Sequence, residues 1–110
     1  MSKLYRIEDY RENQNRKAFF DRNELNQLLS LYSRRVATGE WRDYAIDHSN
    51  GRAIFSIFRH SHDTPLFSIA KQRTGNGWEF RVHSGPAHIS RAHTLTRALQ
   101  VFEKKLHVVT

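Results

Sequence analysis

Gly39-Glu40-Trp41-Arg42-Asp43-Tyr44-Ala45-Ile46-Asp47-His48-Ser49-Asn50-Gly51-Arg52-Ala53-Ile54-Phe55-Ser56-Ile57-Phe58-Arg59 decides the fold, because a helix stop, a strand, a turn and a second strand follow one another within it. Gly39 suits the left-handed backbone that closes many helices. Tyr44, Ile46 and His48 alternate with Asp43, Ala45 and Asp47, the period of a strand with one face covered. Asn50-Gly51 between two such runs is the strongest short hairpin signal. From Arg52 to Arg59 the chain is β-branched and aromatic, with Ile54 and Phe58 on one face and Phe55 and Ile57 on the other. That strand is expected inside a sheet, with apolar material on both sides and one side open to a partner subunit.

Upstream, Phe20-Asp21-Arg22-Asn23-Glu24-Leu25 carries a helix start: Asp21 caps, Glu24 answers three residues on, and Phe20 staples to Leu25. Leu25, Leu28, Leu29, Tyr32 and Val36 repeat at helical spacing and predict the buried face. Arg34 and Arg35 suit the negative end of the helix dipole. Lys17 to Phe20 are expected to form a short edge strand. Residues 1–16 are polar and without apolar period, so they read as a disordered tail, and residues 17–110 as a single domain.

Downstream, Pro65 opens a strand through Leu66–Ala70, and Thr74-Gly75-Asn76-Gly77 turns the chain into Trp78–His83. In that strand Trp78, Phe80 and Val82 are expected inward, and Glu79, Arg81 and His83 outward. Ala87 to Ser90 form a short fifth element. Thr94 caps a last helix carrying Leu95, Ala98, Leu99, Phe102 and Leu106, with Lys104, Lys105 and His107 at its end. The predicted class is α+β: an antiparallel meander of four to five strands with an N-terminal and a C-terminal helix packed on one face.

Composition narrows the chemistry. A chain of 110 residues with no cysteine excludes disulfides, thiolate metal sites and cysteine nucleophiles, and it suits a cytoplasmic location. No apolar run approaches the ~20 residues of a membrane span, and the N-terminus lacks a signal-peptide core. Eighteen basic against eleven acidic residues leave a net charge of +7, and thirteen of the eighteen are arginine, the side chain best shaped for phosphate and carboxylate.

Leu28-Leu29-Ser30-Leu31-Tyr32, then Val36-Ala37-Thr38-Gly39-Glu40-Trp41-Arg42-Asp43-Tyr44-Ala45-Ile46-Asp47, Phe55-Ser56-Ile57-Phe58-Arg59 and the late Lys104-Lys105-Leu106 resemble an alphaproteobacterial family, domain of unknown function 2794. The likeness covers about residues 18 to 109 and rests above all on the nonapeptide from Gly39 to Asp47. It implies a bacterial cytosolic origin and brings no activity with it.

Glu40, Trp41, Arg42, Asp43 and Tyr44 mark a helix-to-strand corner and form the candidate partner or ligand site. Arg42 suits an anion, and Trp41 or Tyr44 suits a base or apolar group, unless Trp41 simply plugs the core. A second candidate, for nucleic acid, is a basic sheet face gathered from Arg52, Arg59, Lys71, Arg73 and Arg81. It lacks the exposed aromatics and Gly-Phe-rich strand of common sheet readers. His60-Ser61-His62-Asp63 does not supply the ligand set of a metal site, and no catalytic motif is present, so no metal, cofactor or enzymatic role is predicted. The expected role is a non-enzymatic binding or regulatory module that contacts another protein or a second copy. Nucleic-acid binding is the alternative.

Overall fold

The computed structural model describes residues 17–60 and 64–103. The expected tail at 1–16, Ser61 to Asp63, and the helix end with Lys104, Lys105, Leu106 and His107 lie outside them.

The first helix, α1, runs from Arg22 to Ala37. Its start is the expected capping box: the Asp21 carboxylate accepts from the Glu24 amide at 2.8 Å, and Glu24 Oε1 accepts from the Asp21 amide at 2.9 Å. Its buried row is Leu28, Leu31 and Arg35, so the helix is rotated from the face that the apolar spacing predicts. Leu25, Leu29 and Tyr32 pack only at the margin, and Val36 is 40% exposed. The rotation is tolerated because the inward Arg35 has acceptors waiting for its guanidinium, described below.

Five antiparallel strands follow in the order β1-β2-β3-β4-β5: β1 Asp43–Ser49, β2 Arg52–Phe58, β3 Phe67–Thr74, β4 Gly77–Ser84 and β5 Ala87–Ala92. The predicted α+β meander is what forms. Asn50 (φ 54°) and Gly51 (φ 78°) are both left-handed, as a two-residue turn twisted to match its strands requires. β5 extends past the expected Ser90 to Ala92, and the β4–β5 ladder slips at Val82/His83. A short helix α2, Leu95–Ala98, begins where the Thr94 hydroxyl accepts from the Arg97 amide; after Leu99 the chain is helical again over residues 100–103.

Strand alternation gives the sheet two unlike faces. Ala53, Phe55, Ile57, Phe67, Ile69, Phe80 and Val82 turn toward the helices and bury against Leu28, Leu31, Leu95, Ala98 and Phe102. At about 25 cal/mol per Å² of apolar area removed from water, this one layer is the main source of stability. The other face carries Asp43, Ala45 and Asp47 of β1, Arg52, Ile54, Ser56 and Phe58 of β2, Ser68 and Ala70 of β3, and Glu79, Arg81 and His83 of β4. The expected two-sided character of β2 is therefore present: Phe58 is buried and Ile54 half-buried on the face away from the helices.

Lys17 to Phe20 do not form the expected edge strand. Only the Ala18 amide pairs, donating to Gly51 O at 2.8 Å, while Ala18 and Phe20 sink into the core. The alternating exposure of Lys17, Ala18, Phe19 and Phe20 is that of a strand edge, but no ladder with a neighbouring strand accompanies it. Among the described residues no helix is long and apolar enough to cross a membrane.

Candidate functional site

The corner between α1 and β1 is built by a helix ending. Gly39 (φ 80°) lets the chain reverse; its amide donates to Val36 O at 2.9 Å, and the Glu40 amide donates to Arg35 O at 2.9 Å. This is the paired hydrogen-bond pattern of a Schellman ending, which satisfies carbonyls the helix leaves open. The reversal delivers Glu40 back over Arg35. Arg35 Nη1 donates to Glu40 Oε1 at 2.6 Å, and Arg35 Nη2 donates to Phe102 O at 3.0 Å. The guanidinium also lies over Trp41 and Phe102, 5.4 and 5.7 Å from the ring centroids, so charge, hydrogen bonds and π-faces are satisfied together.

Trp41 is 2% exposed. Its ring meets Phe102 edge-on at 5.5 Å and Phe67 at 6.0 Å, geometry in the favourable range for aromatic pairs. Trp41 is thus a core plug, and it presents no open face for stacking. Tyr44 is exposed at the edge of the helix-side face, stacked on Phe55 at 5.2 Å and edge-on to Tyr32 at 4.9 Å. Asp43 points to the opposite face of the sheet, where its carboxylate also accepts from the Tyr44 amide at 2.8 Å. Burial first, then the Asp43 charge, raises the Tyr32 hydroxyl above its usual pKa.

Glu40 is held as a carboxylate. Its pKa lies below the usual value mainly because Thr38 Oγ1 is within hydrogen-bond distance of Oε2, at 2.9 Å, and also through Arg35 and Arg59, while burial opposes the shift. The five residues of the candidate site therefore do not share one cleft. Glu40 and Trp41 hold the corner together, Asp43 and Tyr44 diverge on β1, and of the five only Trp41 and Arg42 line the opening.

That opening is a depression of about 470 Å³ lined by Val36, Gly39, Trp41, Arg42, Arg59 and His60. Arg42 and Arg59 are exposed on its rim, and neither is in an ion pair among the described residues. The two are brought together because the Arg42 amide donates to Phe58 O at 2.9 Å, which locks the entry of β1 to the exit of β2. Sequence reading placed Arg59 on a sheet face and His60 in a histidine cluster, and it assigned Arg35 only to the dipole. The five-residue step from Arg35 to Glu40 across a left-handed glycine is the signal that links them. Among the described residues no three histidine, cysteine or carboxylate side chains gather as metal ligands.

The expected basic face is dispersed by the strand register. Arg52 and Arg81 lie on the face away from the helices, Arg59 belongs to the corner, and Lys71 and Arg73 point to the helix side. Lys71 is buried, donating at 2.8 Å to both Glu24 Oε1 and Phe19 O, with its ammonium 4.4 Å from the Trp78 ring centroid. Arg73 stacks on the same indole at 4.9 Å. Arg81 Nε donates to Glu79 Oε1 at 3.0 Å. Residues expected together divide because neighbours at odd spacing on a strand face opposite ways.

A family model described as protein of unknown function (DUF2794) matches residues 18–99. No curated protein and no solved structure matches this chain. The match spans α1, all five strands and α2, including the nonapeptide that builds the corner, and ends before the Lys104-Lys105-Leu106 string. The chain belongs to the DUF2794 family.

Proposed function

We propose that this protein is a non-enzymatic binding module whose docking point is the corner depression, and that its partner is an acidic segment of another protein. The observation that carries this reading is the convergence of Arg42 and Arg59, without ion-pair partners among the described residues, on an opening with an apolar floor. Arginine forks on a rim of this kind suit carboxylates, and the exposed Val36 suits a neighbouring apolar side chain. Glu40 is close enough for Arg59 to lower its pKa, but Arg35 and Thr38 engage its oxygens, and neither rim guanidinium is in an ion pair among the described residues.

The nucleic-acid alternative draws support from the net charge of +7, but dispersal of Arg52, Arg59, Lys71, Arg73 and Arg81 weakens it as a single platform. Anisotropy titration of a labelled Glu-rich peptide and of labelled single-stranded DNA, each at low and high salt, separates the two. The expected result is peptide binding that drops by about tenfold or more in Arg42→Ala and Arg59→Ala, the loss of one charge-assisted contact. Peptide binding indifferent to both substitutions, or DNA binding without peptide binding, sinks the reading.

A further inference from the structure

We propose that β1 is a self-association edge: two copies pair their β1 strands antiparallel about a twofold axis through Ile46, joining two five-stranded sheets into one. The inference is independent of the acidic-partner reading.

The two sheet edges are not equivalent. β5 is six residues long, and its ladder with β4 slips at Val82/His83, a device that bends an edge away from new partners. β1 keeps an unbroken seven-residue register with β2, contains no lysine or proline, and has no strand on its outer side among the described residues. On that side the Tyr44 amide is met by Asp43 Oδ1 at 2.8 Å, a bond that an incoming strand must replace, and the other outward backbone groups of β1 form its template.

Apolar surface collects at the same edge. Among the described residues the exposed large hydrophobics are Phe19 (54%), Val36 (40%), Ile46 (39%) and Tyr44 (38%). Tyr44 and Ile46 lie on β1, Phe19 packs on β1 His48 with ring centroids 4.8 Å apart, and Val36 lines the depression beside Arg42 at the start of β1. Scattered exposed hydrophobics need no explanation, whereas a row along one open edge marks an interface.

The occupant follows from register. A twofold pairing keeps each face of the sheet together, so its axis passes through a residue and not between two. With the axis at Ala45, Asp43 faces Asp47 of the other copy; with the axis at Asp47, two Asp47 carboxylates face each other. Like charges directly opposite are destabilising. With the axis at Ile46 all seven residues of β1 pair, and no carboxylate faces a carboxylate. Ile46 then meets Ile46, Tyr44 meets His48, Asp47 meets Ala45, and Asp43 meets Ser49. Phe19, already on His48, is carried toward Tyr44 of the other copy. Arg52, opposite Ser49 within its own hairpin, lies on the same face as Asp43 of the other copy, so the ends of the joint are complementary in charge.

Sedimentation across a range of concentrations, together with single-cysteine cross-linking in this cysteine-free chain, tests the pairing. The expected result is a monomer–dimer equilibrium that Ile46→Lys weakens by about tenfold or more with an unchanged circular dichroism spectrum, since two ammonium groups would meet on the axis. Oxidised Ile46→Cys should form a covalent dimer, because Cα atoms directly opposite on antiparallel strands are about 4.5–5.5 Å apart, within the ~4.4–6.8 Å that a disulfide spans. Tyr44→Cys should cross-link with His48→Cys and not with itself, where the offset is about 14 Å. A monomer at every concentration, a dimer unaffected by Ile46→Lys, or failure of Ile46→Cys to cross-link overturns the proposal. If Ile46→Lys does not fold, the cysteine pattern decides alone.

Discussion

Arg35 shows how one side chain takes a place that apolar spacing assigns elsewhere. A buried guanidinium is costly unless its donors are met, and here Phe102 O, Glu40 and two aromatic faces meet them. The periodicity of Leu25, Leu28, Leu29 and Val36 held no trace of this, because both acceptors come from outside the helix. Glu40 was legible as part of an unusual cluster but not as Arg35's counter-charge. Its pKa is depressed in the folded state from an ordinary value of 4.5, so its contribution is fully present above that value and is lost as pH falls through the folded pKa. Glu40→Gln should therefore cost about 1 kcal/mol or less at neutral pH, and the gap to wild type should close as pH drops below 4.5. Urea denaturation at several pH values reads this, and a gap that widens toward acid contradicts the assignment.

The element that turns the corner is the α1 ending, and here local sequence was enough. Gly39 stands where a left-handed residue is needed, and an added Cβ would meet nothing within 4 Å. The cost of Gly39→Ala is therefore backbone strain alone, about 1–2 kcal/mol, seen as a lower urea midpoint at unchanged slope. A neutral result would mean that the turn relaxes in solution. The same kind of local signal marked the Asn50-Gly51 hairpin and the Asp21–Glu24 capping box, each of which formed as expected. Lys17 to Phe20 keep the alternating burial of a strand, with Ala18 and Phe20 inward, but gain no ladder, because the Ala18 amide is met by Gly51 O in the hairpin turn and not by a neighbouring strand. At the other end of the chain, Leu99 interrupts the expected helix, and the short α2 begins only where the Thr94 cap allows.

The chain carries a net charge of +7, and among the described residues its basic side chains divide between both faces of the sheet and the corner and form no single stripe. Such a chain repels itself when compact, and salt screens that repulsion over a Debye length of ~10 Å or less. Thermal melts should shift upward from low to moderate ionic strength, measured on dilute monomer; a downward shift would show that the ion pairs Lys71–Glu24, Arg81–Glu79 and Arg35–Glu40 outweigh the excess charge. In a β1-paired dimer the two corner depressions would open near opposite ends of the joint, about 27 Å apart measured between the two Arg42 positions along the strands. The spacing would let one bivalent partner span both.

The sequence alone determined the order and type of the first helix and the five strands, since caps, turns and apolar periods are properties of neighbours within a few residues. Tertiary structure decided which charged residues share a surface. Side chains reverse face at every step along a strand, so the register set by cross-strand pairing turned Lys71 and Arg73 to the helix-side face, left Arg52 and Arg81 on the far face, and brought Arg59 to Arg42. A contact between positions 42 and 59 exists only once the hairpin has closed, and its chemistry cannot be read from either residue's own neighbours.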